Sequence, residues 1–122
     1  MNKPTRSEQA EAILKGNGRD LASKILARRA TSAEDFLEAF NLERIDLIAE
    51  VEDHARLLSF GMNVVGPRDG IYVIDDGGSY RVYLQERGET MQGVAGVDFS
   101  SAVDTLIDLC VLRNGIPWRP VG

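Results

Sequence analysis

The feature that most constrains the fold is a change of hydrophobic period near Gly66. Beyond it, the stretch GIYVIDDGGSYRVYLQERG holds two runs of alternating apolar and polar residues, with Asp-Asp-Gly-Gly between them. Alternation with period two is typical of β-strands, and Asp-Gly and Gly-Gly supply the positive φ angles of tight hairpin turns. The sequence therefore predicts a hairpin. TMQGVAGV, which follows, predicts a third strand that is weakened by its two glycines, Gly93 and Gly96.

Before this change the apolar residues recur at helical spacing. Thr5 and Glu8 have the spacing of a capping box, and GNG at residues 16–18 separates this helix from a second one. Ser32 is positioned to cap the next segment, with Asp35 three residues on. One apolar stripe follows, and it predicts either one long helix or two helices broken near residue 41; its members are Phe36, Phe40, Leu47, Val51 and Leu58.

A last helix is predicted after the strands. Asp98, Ser100 or Ser101 caps it, and Asn114-Gly115 ends it. Its apolar stripe is wide enough to predict burial over much of the circumference, and consists of Val103, Leu106, Ile107 and Cys110, widened by Ala102, Leu109 and Leu112. In the tail that follows, Trp118 is a candidate anchor.

These elements predict an α+β fold, with N-terminal helices followed by a small antiparallel β-meander of about three strands and a buried C-terminal helix. A length of 122 residues is about that of one domain. We therefore expect a single domain over residues 1–122, mainly helical over 1–60 and forming the meander and last helix over 66–122. The amino terminus lacks the apolar core of a signal peptide, and no apolar run is long enough to span a membrane. Together with the single cysteine, this favours a soluble cytoplasmic protein, whose oligomeric state stays open.

Charge is distributed unevenly along the chain. The net charge is −5, but residues 1–30 carry +4, residues 31–58 carry −6 and the remainder carries −3. A basic segment suits nucleic acid, whereas the acidic segments would repel phosphates. The same gradient also arises when charged residues simply cover solvated helix faces.

The residue types that carry chemistry form no recognisable catalytic pattern. His54 has helical spacing to Asp46, Glu50 and Asp53, but any charged helix produces this spacing, so we interpret His54 as a solvated side chain. Cys110 lies on the apolar stripe and is interpreted as a core residue. No phosphate-binding loop is present. We therefore expect no enzymatic activity, no catalytic residues, no cofactor and no metal site.

The second strand ends in Glu86-Arg87-Gly88-Glu89, an acid, a base and a glycine in close succession. Gly88 is expected to turn the chain out of the strand. Arg87 is expected to contact a nearby carboxylate or to cover the apolar edge with its methylene groups.

Over residues 66–113 the layout resembles that of small bacterial immunity proteins, which neutralise polymorphic toxins, including those of contact-dependent inhibition systems. In that pattern an aromatic-rich hairpin ends in Glu-Arg-Gly, a further strand follows and a helix closes the chain. The matching positions are Tyr72, Val73, Tyr80, Val82, Tyr83, Glu86, Arg87, Gly88, Phe99, Ala102 and Leu106.

The resemblance implies a protein that binds and neutralises a cognate toxin's C-terminal domain. Many such toxins are nucleases, whose polyanion-binding surfaces are basic, so an acidic surface is the expected contact. The candidate partner-binding residues are Glu34, Asp35, Glu38, Asp75, Asp76, Glu86 and Glu89, with Arg87 and Gly88 as the structural motif. The alternative is a nucleic-acid-binding or regulatory module that uses the basic helices at residues 3–29. We expect neither a membrane nor, on the first interpretation, a nucleic acid as partner.

Overall fold

The computed structural model describes residues 4–114, and these form an α+β fold with helices first, then a three-stranded antiparallel sheet and a closing helix. The elements are α1 (Arg6–Leu14), α2 (Gly18–Leu26), α3 (Ala33–Ala39), α4 (Arg44–Glu50), α5 (His54–Ser59), β1 (Gly70–Asp75), β2 (Tyr80–Glu86), β3 (Glu89–Val97) and α6 (Phe99–Arg113). The predicted fold class and the order of its elements are confirmed. The expected anchor Trp118 and the stop at Gly115 lie outside the described residues.

The chain divides into two compact units. The helical unit comprises the described residues 4–50 and 110–114, and the sheet unit comprises residues 51–109. A single domain over residues 1–122 remains a prediction. No helix within residues 4–114 is long and apolar enough to cross a membrane.

The predicted capping box at Thr5 and the predicted cap at Ser32 are both present in the helical unit, and the cap at Ser32 is also a capping box. The hydroxyl of Thr5 accepts a hydrogen bond from the backbone N–H of Glu8, whose carboxylate accepts one from the backbone N–H of Thr5. Ser32 and Asp35 repeat the arrangement at the start of α3. Such reciprocal bonds satisfy backbone donors that have no partner within the helix, and so they set where each helix begins.

Buried amide side chains tie distant parts of the helical unit together. The Asn114 side chain accepts a hydrogen bond from the backbone N–H of Gly18 at 2.9 Å and donates to the carbonyl oxygens of Ile13 and Cys110. Gln9, which is fully buried, bonds both the backbone and the side chain of Asn41. Because a buried amide without partners is costly, these bonds fix the positions of the segments they join.

The apolar stripe that begins at Phe36 is broken twice. The break near residue 41 is confirmed, since α3 ends at Ala39 and α4 begins at Arg44. A continuous long helix is therefore wrong, and a second break precedes α5, where Asp53 acts as N-cap and accepts a hydrogen bond from the backbone N–H of Arg56. After this break the buried leucine is Leu57, whereas the predicted Leu58 is only half-buried.

The β1–β2 hairpin is buried on both faces. On one face the rings of Tyr72 and Tyr83 stack with their centroids 5.0 Å apart, and Ile74 and Met62 complete an apolar cluster. On the other face Val82 is among the fully buried residues. The predicted apolar stripe of α6 is also buried. The rings of Tyr80 and Phe99, the first residue of α6, meet in an edge-type arrangement with their centroids 6.4 Å apart.

β3 differs from its two neighbours because every residue in it is exposed or half-exposed. Its pairing with β2 shifts register twice, between Tyr80 and Val82 and between Leu84 and Gln85. At Gly93 the two backbones approach so closely that a Cβ would overlap that of Tyr83. Glycine is therefore required where sequence analysis had expected it to weaken the strand.

Candidate functional site

The acids predicted on α3 do not form one solvated patch. Asp35 is only 8% exposed, and its carboxylate accepts hydrogen bonds from the backbone N–H of Thr31 at 2.7 Å and from Arg28 at 2.7 Å. The Thr31 N–H and, next, the Arg28 guanidinium hold the pKa of this carboxyl well below its usual range. Asp35 thus serves the fold as a buried capping residue, and its contact with a partner stays a prediction.

Arg28 also reduces the negative charge that the other acids of α3 present to a partner. Its guanidinium lies 3.0 Å from a carboxylate oxygen of Glu38, so this exposed acid shares a cation with Asp35. Glu34 is exposed in the first turn of the helix. Of the three predicted α3 acids, one is buried, one is paired and one faces solvent.

The Glu86-Arg87-Gly88-Glu89 stretch connects β2 to β3, and Arg87 and Gly88 form a two-residue turn between the strands. Glu86 and Glu89 are cross-strand partners, and the two residues between them have φ angles of 52° for Arg87 and 79° for Gly88. Two successive positive φ angles are those of a type I′ turn, whose twist matches that of the strands. We expected Arg87 to hold a carboxylate, but its side chain is exposed and has no ion pair with any residue in 4–114. The contribution of Arg87 to the fold lies in its backbone conformation.

The other predicted acids lie at the opposite end of the sheet. Asp75 accepts a hydrogen bond from the backbone N–H of Gly77 at 2.8 Å, which shapes the β1–β2 turn. Asp76 accepts two hydrogen bonds from the guanidinium of Arg81, at 2.8 and 3.1 Å. Because β2 has seven residues, roughly 20 Å of strand separates this end from the Glu86 end. The structure therefore places the sheet acids in two groups.

At the Asp75 end, sequence analysis missed a cluster of three polar side chains. His54 Nδ1 lies 2.6 Å from the hydroxyl oxygen of Tyr80, and His54 Nε2 lies 3.5 Å from a carboxylate oxygen of Asp75. The tautomer with its proton on Nε2 accepts from the Tyr80 hydroxyl and directs an N–H towards Asp75. His54 is thus a bonded link between α5 and the hairpin, with half of its side chain exposed, and the interpretation of it as merely solvated is incomplete.

We call His54, Asp75 and Tyr80 the His54 cluster. It is open to solvent, and an aromatic ring packs against it. Phe99 stacks edge-on against Tyr80. The arrangement can donate and accept hydrogen bonds and can present a carboxylate and a phenol side by side. Such mixed polar and aromatic surfaces are typical of protein contacts. Within residues 4–114, no three His, Cys, Asp or Glu side chains are placed to hold a metal ion.

The net charge summed over each folded unit differs from the net charge summed along segments of the sequence. The sheet unit carries ten acids and four arginines, a net charge of −6, and all ten acids are exposed. The described residues of the helical unit carry nine acids and eight bases, a net charge of −1. There the basic and acidic segments pair with one another, as in Arg28 with Asp35 and Arg6 with Asp46. The acidic block predicted at residues 31–58 is therefore largely balanced, and the excess negative charge lies on the sheet unit.

Comparisons with protein-family models, with curated proteins and with solved structures found no significant match to this chain.

Proposed function

We propose that this protein is an immunity protein that binds and neutralises a basic toxin domain through the exposed acids of its sheet unit. The observation that carries the proposal is the net charge of −6 over residues 51–109, with all ten acids exposed. Opposite charges attract a partner over a Debye length and increase the rate of encounter. An inhibitor of this kind needs a matching surface and no catalytic group.

The two ends of the sheet offer different kinds of contact. At one end, the His54 cluster combines a carboxylate with aromatic rings, a combination that suits a buried contact with arginine or lysine. At the other, Glu86 and Glu89 flank an exposed turn. The distance between them lets a domain-sized partner touch one end while the acids of the other end contribute to the long-range attraction.

The nucleic-acid alternative is less well supported by the geometry. Of the bases at residues 3–29, Arg28 binds two carboxylates and Lys15 lies 2.7 Å from Glu11. Arg6 lies 3.9 Å from Asp46. A binding surface for phosphates requires cations whose charge is not already neutralised by neighbouring acids.

The test measures association with the C-terminal domain of the toxin encoded beside the gene for this protein. Asp75→Asn, Glu86→Gln and Glu89→Gln are combined in one variant, which removes three of the sheet unit's six net charges. At low salt the association rate should fall roughly ten-fold, and adding salt should slow the wild type in the same sense. Cells that express the wild type should survive the toxin.

A matched control removes the same charge from the helical unit. Asp20→Asn, Glu34→Gln and Glu43→Gln change three exposed acids there, and association should slow much less. Equal slowing by both variants would contradict the role given to the sheet unit. Absence of binding and of protection, together with tight salt-dependent binding of DNA or RNA, would refute the function itself.

A further inference from the structure

The two outer edges of the sheet are treated differently by the rest of the chain. At the β1 edge, the backbone of Met62 donates to the carbonyl oxygen of Ile71 and accepts from the N–H of Val73, both at 2.9 Å. The Asn63 side chain also donates to the carbonyl oxygen of Val73. At the β3 edge, no backbone group of residues 4–114 pairs with the strand from outside. Within the described part of the chain, one edge is capped and the other presents backbone groups that no strand pairs with.

The exposed edge lacks two of the features that usually prevent strand addition. Between Thr90 and Val97, β3 contains neither a charged residue nor a proline, and charged side chains and prolines are the common protection of an edge. Its two register shifts confine regular pairing with β2 to the middle of the strand, Gln92–Val94. An added strand would therefore pair with this central segment, and neighbouring contacts would have to supply the rest of its affinity.

Those neighbouring contacts are available in a groove beside the same three residues. The groove has a volume of about 250 Å³ and lies between Gln92, Gly93 and Val94 of β3 and the side chains of α6, which are Thr105, Asp108 and Leu109. It has room for a side chain projecting from an added strand. The carboxylate of Asp108 stands at its wall, and Glu89 begins the strand.

We propose that the outer edge of β3 and this groove receive an extended segment of the partner, which adds to the sheet as a fourth strand. The segment has a short run of small or β-branched residues with lysine or arginine beside it, so that the run pairs with Gln92–Val94 and a basic side chain enters the groove. This inference rests on the proposed function, because it takes the partner to be a basic protein. Backbone hydrogen bonds supply the pairing and the groove supplies the selectivity.

Charge decides between this occupant and a second copy of the chain. Pairing of β3 with β3 of another copy would bring together two units of net charge −6. Like net charges disfavour such a pair, whereas a basic segment is attracted by the same acids.

The experiment titrates the ¹⁵N-labelled full-length chain with the probe peptide acetyl-Lys-Val-Thr-Val-Lys-amide. Chemical-shift changes and slowed amide exchange should concentrate on residues 90–97 and on the groove side of α6. A peptide N-methylated on the central residues should bind roughly ten-fold more weakly, from the loss of one or two backbone hydrogen bonds. The same peptide with glutamates in place of lysines should not bind.

A variant pair on one helix tests the groove. Asp108→Asn should weaken the lysine peptide, while Asp104→Asn, one turn earlier and outside the groove lining, should weaken it less. Equal effects, or shifts that avoid β3, would overturn the inference. So would concentration-dependent shifts of β3 amides in the free chain, which indicate self-pairing, or contacts from β3 to residues 115–122.

The cognate toxin separates failure of this inference from failure of the function. If the complex forms without slowing amide exchange in residues 89–97, the fourth strand is refuted and the proposed function stands. If the peptide pairs with β3 but no complex with the toxin forms, the proposed function is refuted.

Discussion

The burial of α6 in the sheet unit can be tested by one substitution, Leu106→Ala. Leu106 is fully buried at the centre of the helix's apolar stripe. Removing a completely buried leucine side chain costs about 2 to 5 kcal/mol, from lost transfer free energy and the cavity left behind. Against a total stability of about 5 to 15 kcal/mol for a small domain, this is a large fraction.

Urea denaturation followed by circular dichroism measures this loss. With a denaturant dependence of about 2 kcal/mol per molar urea, the midpoint should fall by about 1 to 2.5 M. All three tyrosines lie in the sheet unit, so the near-ultraviolet tyrosine signal reports on that unit, while the far-ultraviolet signal follows the helices as well.

The same helix supplies the control. Leu112→Ala removes the same atoms from a side chain that is 53% exposed, and it should cost less than about 1 kcal/mol because little apolar surface is returned to water. A midpoint that moves equally for both variants would refute the assignment of a buried and an exposed face to α6. An unchanged midpoint for Leu106→Ala would show that the stripe is not part of a core.

Three further predictions concern backbone packing, thiol reactivity and pH. Gly93→Ala should lower the urea midpoint strongly, because its Cβ would overlap that of Tyr83; an unchanged midpoint would contradict the close approach of the two strands. Burial raises the pKa of the Cys110 thiol to about 12, so a disulfide reagent at pH 8 should react only as fast as the chain opens, and rapid reaction of the folded protein would argue against burial. The backbone N–H of Thr31 lowers the pKa of Asp35 from its ordinary 3.8, so this carboxylate stabilises the fold above about pH 4 and ceases to do so as pH falls. Asp35→Asn should flatten that acid dependence of the urea midpoint, and an unaltered dependence would contradict it.

Much of the fold could be predicted because local signals agreed with one another. The period-two runs and the glycine-rich turn indicated β1 and β2, and the Ser32–Asp35 spacing marked the start of α3. The break before α5 was missed because Val51 and Leu58 continue the helical spacing across it. Asp53 is the N-cap there, but in a segment rich in acids nothing in the sequence distinguished it from its neighbours.

The candidate site was much less accessible from the sequence. His54 and Tyr80 are 26 positions apart, and only the folded hairpin brings them to hydrogen-bond distance. The pairing of acids with bases was also not evident from the sequence, because the ion pair between Arg28 and Asp35 forms across the turn between two helices. Charge summed along the chain assigned the acidic surface to residues 31–58, whereas charge summed over each folded unit assigns it to residues 51–109.

The exposure of β3 also bears on how the protein can diversify. Its side chains contribute little to the core, so most substitutions there should alter stability by no more than about 0.5 kcal/mol. Gly93 and Gly96 are the exceptions, because of a close backbone approach at one and a φ of +66° at the other. Most residues of this strand could therefore change during evolution without destabilising the adjacent β1–β2 hairpin. Mutational freedom would thus coincide with the surface where a change of partner requires new contacts.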